Sequence, residues 1–369
     1  MSQTASPFSE IDYAIFSQIV MLDLADVFTT QKEVKVKNAF LKHALENDLN
    51  KNLGLIISNK TNYLFREIAR AKRYKNLVLS DYVASIDAER AEQFSAITVT
   101  LSKGKKLVVF SGTDDTLVGW KENFSMTYKE YTSGQNKSVK YLEKIAKTCD
   151  DIVVVGHSKG ANLAMYSTVN CDDKTYAKIS ATLAFDGPGF FNELTDEKRL
   201  ERASKIVEYV TDTSVIGRFF NHYGIIKIVQ SSYNGMFQHD LFSWAINKNK
   251  FVYLSSFTSH GEEANETFHN VLCKMNKDEC ERLFGILFNL LNDVGLETLT
   301  DMSLKKMKVI KGYASLNPDD KKFVKQALTE LIKNKAVKKI FLGDFFDKDA
   351  QAILKNSKKY AVIEAKNNK

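Results

Sequence analysis

The stretch that most constrains this chain runs over residues 151–169, D-I-V-V-V-G-H-S-K-G-A-N-L-A-M-Y-S-T-V. Residues 152–155 are apolar with no polar residue alternating among them, the pattern of a strand covered on both faces. Gly156 to Gly160 then spell G-x-S-x-G, and residues 161–169 are small and apolar, suited to a helix packed on a sheet. In that strand, sharp turn and helix, G-x-S-x-G reads as a nucleophile elbow. The serine takes strained backbone geometry, and the glycines two residues to either side admit neighbouring chain. Its hydroxyl stands above the carboxyl end of the sheet, at a helix N-terminus whose dipole favours developing negative charge. A glycine-rich turn with a capping serine would use the same residues. The elbow reading makes Ser158 the expected nucleophile.

The rest of the chain supplies a sheet to carry such a turn. Residues 96–101 (A-I-T-V-T-L) alternate and are β-branched, and 107–110, 179–185, 206–210 and 225–229 are further apolar strands. Helical patterns over 133–147 and 194–204 lie between them. This alternation predicts an α/β fold, a mostly parallel central sheet flanked by helices, with ligands outside the carboxyl ends of the strands. The polar clusters fall at those ends: Thr113 to Asp115, Ser158, Asp186, Asp212 to Ser214, and His239. Upstream, residues 11–28, 36–49 and 62–74 carry helical spacing. After about residue 265 strands cease, and 267–292 and 303–369 read as lysine-rich helices broken at 312–320. The expected organisation is a helical N-terminal segment over 1–85 packing on the core, a catalytic core over 86–262, and a helical, lysine-rich C-terminal region over 263–369.

A serine hydroxyl attacks only when a base takes its proton and a third group orients that base. Of six histidines, His239 follows the last clear strand through a loop, where a returning base belongs in the order nucleophile, acid, histidine. His157 adjoins the nucleophile and should point away; His222 precedes a strand, opposite the site; His260 and His269 lie where the chain enters the helical region. His43 is expected exposed or half-buried on a helix. Asp186 ends the strand after the elbow unit with no slack and is the first choice of acid, Asp212 at the end of the next strand the alternative. Asp240 is too close to His239 in sequence to orient its ring. The oxyanion hole needs backbone N–H groups, expected from Lys159 and from the Gly112–Thr113 turn, with the Thr113 hydroxyl as a further donor and Asp114 and Asp115 turned outward. No metal-ligand spacing, dinucleotide fingerprint or phosphate loop is present, so neither cofactor nor metal is expected.

Composition narrows the partners. A hydrophobic share of 44% is ample for a sizeable core. The net charge of +7 is concentrated in C-terminal lysines that read first as a solvated helix face and second as weak attraction to an anionic membrane surface. No arginine-rich or aromatic-interleaved patch points to nucleic acid. Cys149, Cys171, Cys273 and Cys280 show neither C-x-x-C nor zinc spacing, and the last two, seven apart, share a helical face. With no secretory signal and no apolar run of membrane-span length, a cytoplasmic protein is expected. Oligomeric state has no sequence signature here.

The motifs also resemble known proteins. F-S-G-T-D-D-T-L-V-G-W is similar to the F-R-G-T…W segment of class 3 (fungal-type) lipases, and G-H-S-K-G-A-N-L-A to their G-H-S-L-G-G-A elbow. Together, G-T-D-D-T-L-V-G-W-K-E-N-F, G-H-S-K-G-A-N-L-A, F-D-G-P-G-F, S-V-I-G and Q-H-D-L-F-S-W resemble a bacterial family of lipase-like α/β-hydrolases of largely unknown function. The opening P-F-S-E-I-D-Y-A-I-F-S-Q resembles that family's start, and the likeness spans residues 7–250. It implies an α/β-hydrolase fold with Ser158 as nucleophile, His239 as base, and Thr113 with Lys159 at the oxyanion hole. Two departures stand out: Ser111 replaces the usual arginine, and Ser214 stands where class 3 lipases carry their acid. Pancreatic-type lipases take the acid from the earlier strand in a D-P segment that F-D-G-P resembles, which favours Asp186. The expected activity is cleavage of carboxylic esters, acyl lipids included, by an acyl-enzyme mechanism. A thioesterase or peptidase would use the same serine, and a non-catalytic hydrolase-fold binding module would lack a working acid.

Overall fold

In the computed structural model of the chain, residues 7–333 are described apart from 55, 260–261, 264–265 and 268–274. Among the described residues there are eleven strands: β1 (Glu33–Lys35), β2 (Val78–Asp87), β3 (Glu92–Ser102), β4 (Lys105–Phe110), β5 (Asp151–His157), β6 (Ile179–Phe185), β7 (Ile206–Thr211), β8 (Ile225–Val229), β9 (Ile246–Asn247), β10 (Lys250–Phe251) and β11 (Tyr253–Leu254). Nine of them form one sheet in the order β1-β2-β3-β4-β5-β6-β7-β8-β11, and β9 and β10 form a separate small hairpin. From β4 to β8 neighbours are parallel. The pairs toward both edges are antiparallel.

The strand order never reverses, and that decides how the faces are covered. Right-handed crossovers between successive parallel strands bring every crossover helix to the same face. These helices include α4 (Leu117–Ser125), α5 (Ser133–Ala146), α6 (Lys159–Asn170), α7 (Asp173–Lys178) and α8 (Glu197–Ala203). Ile152 and Val154 of β5 pack with Leu142, Ile145, Leu163 and Ala164 from α5 and α6. The other face would be bare without the N-terminal helices α1 (Glu10–Ile19), α2 (Val36–Glu46) and α3 (Lys60–Arg70). Val153 and Val155, pointing the opposite way by the two-residue period of a strand, pack with Phe16, Ile19, Phe65 and Ile68. The result is an α/β-hydrolase-like arrangement with a sheet between two helical layers.

The N-terminal segment is less purely helical than expected. It contributes α1 to α3 but also β1 and most of β2 to the sheet. The helix expected over 11–28 stops at Ile19. Beyond it, Asp23 accepts a hydrogen bond from the N–H of Ala25, and Leu24 N–H donates to Tyr82 Oη at 3.1 Å, so local side chains replace helical partners. His43 is buried rather than exposed, held by Asn62 of α3 and by Asn47. The described part of the C-terminal region includes α9 (Lys277–Asp293), α10 (Leu299–Leu304), α11 (Lys306–Ser315) and α12 (Pro318–Lys333). They share a core with α4, where the rings of Phe124 and Phe284 stack 4.3 Å apart. Cys149, Cys171 and Cys280 are buried; Cys273, His260 and His269 lie outside the described residues.

Candidate active site

Ser158 sits between β5 and α6 with φ 58° and ψ −128°, a conformation that costs a non-glycine residue strain. The two flanking glycines make room for it. A Cβ on Gly156 would fall on the carbonyl of Gly160, and one on Gly160 would fall on the carbonyl of Phe110 at the end of β4. Ser158 N–H donates to Phe185 O at 3.0 Å, which ties the turn to the end of β6. The N–H of Lys159, at the first turn of α6, is one of the donors for which a helix has no internal partner.

His239 ends a short 3₁₀ turn, Gly235–His239, downstream of β8. Its Nδ1 lies 2.6 Å from Oδ2 of Asp186, the residue that follows β6. Asp186 is fully buried, has φ 45°, and donates its N–H to Tyr209 O at 2.8 Å. The backbone therefore fixes where the carboxylate stands. Gly217 makes this possible, because a Cβ there would overlap Asp186 Oδ1, and that oxygen has no partner among the described residues. With a carboxylate accepting at Nδ1, His239 carries its proton there and leaves Nε2 as a lone pair.

His157 has a larger place in this arrangement than its sequence position suggests. Gln18 of α1 meets its Nδ1 at 3.2 Å, and its Nε2 lies 2.9 Å from the backbone carbonyl of His239. A carbonyl only accepts, so Nε2 bears the proton and Nδ1 accepts from the Gln18 amide. Burial pushes the His157 imidazolium well below the ordinary histidine range, and the neighbouring His239 pushes in the same direction. The ring is thus a neutral strut against His239, their centroids 4.5 Å apart.

The remaining candidates are distributed as follows. Asp212 does not meet His239; its Oδ1 accepts from Gln238 Nε2 at 2.8 Å and so acts on the preceding residue. Ser214 accepts from Gly217 N–H at 2.9 Å, and Asp240 accepts from Phe242 N–H at 3.0 Å. Burial raises the carboxyl of Asp240. Thr113 is buried, with Oγ1 bonded to Asn123 of α4, while the adjacent Gly112 N–H is taken by the Met21 sulfur at 3.1 Å. Asp114 accepts from Thr116 N–H and helps set the N-cap of α4. His222 pairs with Glu208 of β7 instead of approaching the elbow. Among the described residues, no hydrogen bond joins Ser158 Oγ to His239.

Three features had no signal in spacing alone. The Lys159 side chain is buried and ion-paired with Glu122 at 2.9 Å. Asn162, a polar residue in an otherwise apolar helix, donates to Pro188 O and Gly189 O and accepts from Gln135, holding the turn after Asp186 against α6. Gln18 reaches the site from the far N-terminal helix. The lone lysine and asparagine in G-H-S-K-G-A-N-L-A were the hints available, since neither suits an apolar helix face without a partner.

No curated protein matches this chain. A family model described as Mbeg1-like matches residues 68–289, from the segment before β2 into α9, and on that match the chain belongs to the Mbeg1-like family.

Proposed function

We propose that the protein is a serine hydrolase that cleaves carboxylic esters, acyl lipids among them, through an acyl-enzyme on Ser158. The observation that supports this most is the Asp186–His239 contact at 2.6 Å, reached from two different strands at the same sheet end as the strained serine. In the proposed cycle Ser158 Oγ attacks the ester carbonyl carbon while His239 Nε2 takes the hydroxyl proton. The negative oxygen that forms is met by the N–H of Lys159 and by Thr113. Collapse breaks the bond to the alkoxy group, which leaves with the proton from His239. Water, deprotonated by the same Nε2, then releases the carboxylic acid and restores Ser158. Asp186 stays ionised throughout and stabilises the imidazolium.

The partner in this reading is a small-molecule ester or a lipid, with contact to a membrane surface. No described helix is long and apolar enough to cross a membrane. On α11, however, Met307 and Ile310 are exposed opposite the side that packs through Gly312 on Leu290 and Val294. Lys306, Lys308 and Lys311 are exposed on the same helix, an arrangement suited to lying on an anionic bilayer.

A fluorophosphonate probe tests the hydrolase reading. Wild-type protein should be labelled, and Ser158→Ala and His239→Ala should not. A wild type that resists the probe across pH 6 to 9, with and without lipid, would leave a binding module as the better description. Labelling that survives in Ser158→Ala would remove Ser158 as nucleophile.

A further inference from the structure

The two donors proposed for the oxyanion lie on different segments, yet both are tied to neighbouring residues of α4. Lys159 Nζ donates to Glu122 at 2.9 Å and to the backbone carbonyl and side chain of Gln93 in β3. Both members of the ion pair are buried, with side-chain exposures of 1% and 0%. The Glu122 carboxylate is further bonded by Gly134 N–H at 2.7 Å and Gln93 N–H at 3.1 Å. A buried ion pair contributes little to stability relative to an apolar pair of the same shape, whereas leaving one partner alone is costly. Such a pair fixes geometry, and here it fixes the residue directly after the serine.

Asn123, the next residue on α4, holds the other segment. Its Nδ2 donates to Thr113 Oγ1 at 2.7 Å, and the Thr113 hydroxyl donates in turn to its Oδ1 at the longer distance of 3.1 Å. With Oγ1 held by the amide, the hydroxyl proton can turn from the longer bond to Oδ1 toward a developing oxyanion. One turn earlier, Gly119 lets α4 approach, since a Cβ there would crowd Thr113 and Asp114. From outside, α4 is gripped by the C-terminal region. Phe284 stacks on Phe124 at 4.3 Å, Leu117 N–H donates to Glu297 O at 2.8 Å, and Leu299 N–H donates to Asp115 O at 3.0 Å.

We propose that α4 is the positioning element of the oxyanion site, Glu122 acting through Lys159 and Asn123 through Thr113, and that the C-terminal helical region sets its position. This rests on the hydrolase reading and assigns a role to a region that supplies none of the proposed reacting groups.

The test is steady-state hydrolysis of p-nitrophenyl butyrate by the full chain, with the thermal midpoint of each variant measured alongside. Asn123→Asp keeps the shape but places an acceptor where the amide donor stood, so it captures the Thr113 proton. It should lower kcat about 100-fold, the effect of losing one oxyanion donor, with KM within about two-fold. Glu122→Gln alone strands the Lys159 cation, so the pair is removed together as Glu122→Gln/Lys159→Met, which should fold and lower kcat about ten-fold or more. Phe284→Ala should lower kcat with KM kept, although it lies outside the site. Variants that retain wild-type kcat, or lose it only in proportion to unfolded protein, would overturn the positioning role. A wild type that neither turns over ester nor takes the fluorophosphonate label would overturn it together with the hydrolase reading.

Discussion

Asp186→Asn is the change whose consequence follows most directly from the geometry. The carboxylate sits fully buried with Oδ2 at 2.6 Å from His239 Nδ1, while Oδ1 has no described partner and faces the Gly217 backbone. An asparagine amide can turn either way. With its oxygen toward the ring, the bond survives but the charge that stabilises the imidazolium is gone, and the NH₂ group points at a position with no described acceptor. With its nitrogen toward the ring, Nδ1 must accept, the ring proton moves to Nε2, and the base is lost. Each orientation makes one bond to the ring, but the second leaves one N–H unpaired instead of two and puts the oxygen where an unpartnered oxygen already stands, so the wrong tautomer should dominate. The expected cost is about 10⁴-fold in kcat, or ~5 kcal/mol of transition-state stabilisation. Asp212→Asn provides the contrast. Its amide oxygen can still accept from Gln238 Nε2, now at 2.8 Å, so kcat should fall less than about ten-fold, the scale of one weakened hydrogen bond. Turnover of p-nitrophenyl butyrate by folded protein, checked by thermal midpoint, measures both. Retention of kcat within ten-fold by Asp186→Asn, or a larger loss in Asp212→Asn, would refute the assignment of the acid.

Three further outcomes are expected. Ser158→Gly should abolish turnover yet stabilise the fold by about 1 kcal/mol, because relief of ~1–3 kcal/mol of strain exceeds the entropy glycine loses; a thermal midpoint at or below wild type would contradict this. His157 has its folded-state pKa depressed by burial, so the unfolded chain binds more protons and stability falls as pH drops below about 6.5, by up to ~1.4 kcal/mol per pH unit until the folded pKa is reached. His157→Gln should flatten the loss seen by urea denaturation between pH 7.5 and 5.5, and an unchanged slope would show that His157 is not its source. Met307→Glu/Ile310→Glu should abolish co-sedimentation with phosphatidylglycerol vesicles while leaving p-nitrophenyl ester turnover intact; equal binding by the variant would discard α11 as the contact.

What could be read from the sequence was local. The apolar run of β5, the glycines of the elbow and the seven residues of β6 each announce themselves within a short window. β2 does not, because its register shifts between Ser80 and Val83, with Asp81 at φ 53°, and the bulge breaks the two-residue alternation by which a strand is recognised. Polar contacts across the fold were less legible still. Lys159 and Glu122 are 37 residues apart, and nothing in either neighbourhood marks them as partners. The elbow lysine stands out among small and apolar residues, but only the packing shows that its side chain runs inward to α4.

The role of the N-terminal helices has a topological cause that was within reach. A chain whose parallel strands advance always in one direction places its crossover helices on one face, so some other segment must cover the second. Here that segment is α1 to α3, and covering the sheet brings Gln18 beneath His157 and, through it, beneath the backbone of His239. The same helices that close the hydrophobic core thereby hold the candidate base from below, while α4 and the C-terminal helices hold the candidate oxyanion donors from above. Gln18→Ala should therefore disturb catalysis more than its distance in sequence suggests: with Nδ1 unheld, the His157 ring can rotate away from the His239 carbonyl. The expected result is a fall in kcat of about ten-fold, roughly 1.4 kcal/mol, with KM unchanged. Wild-type kcat in that variant would confine α1 to a packing role.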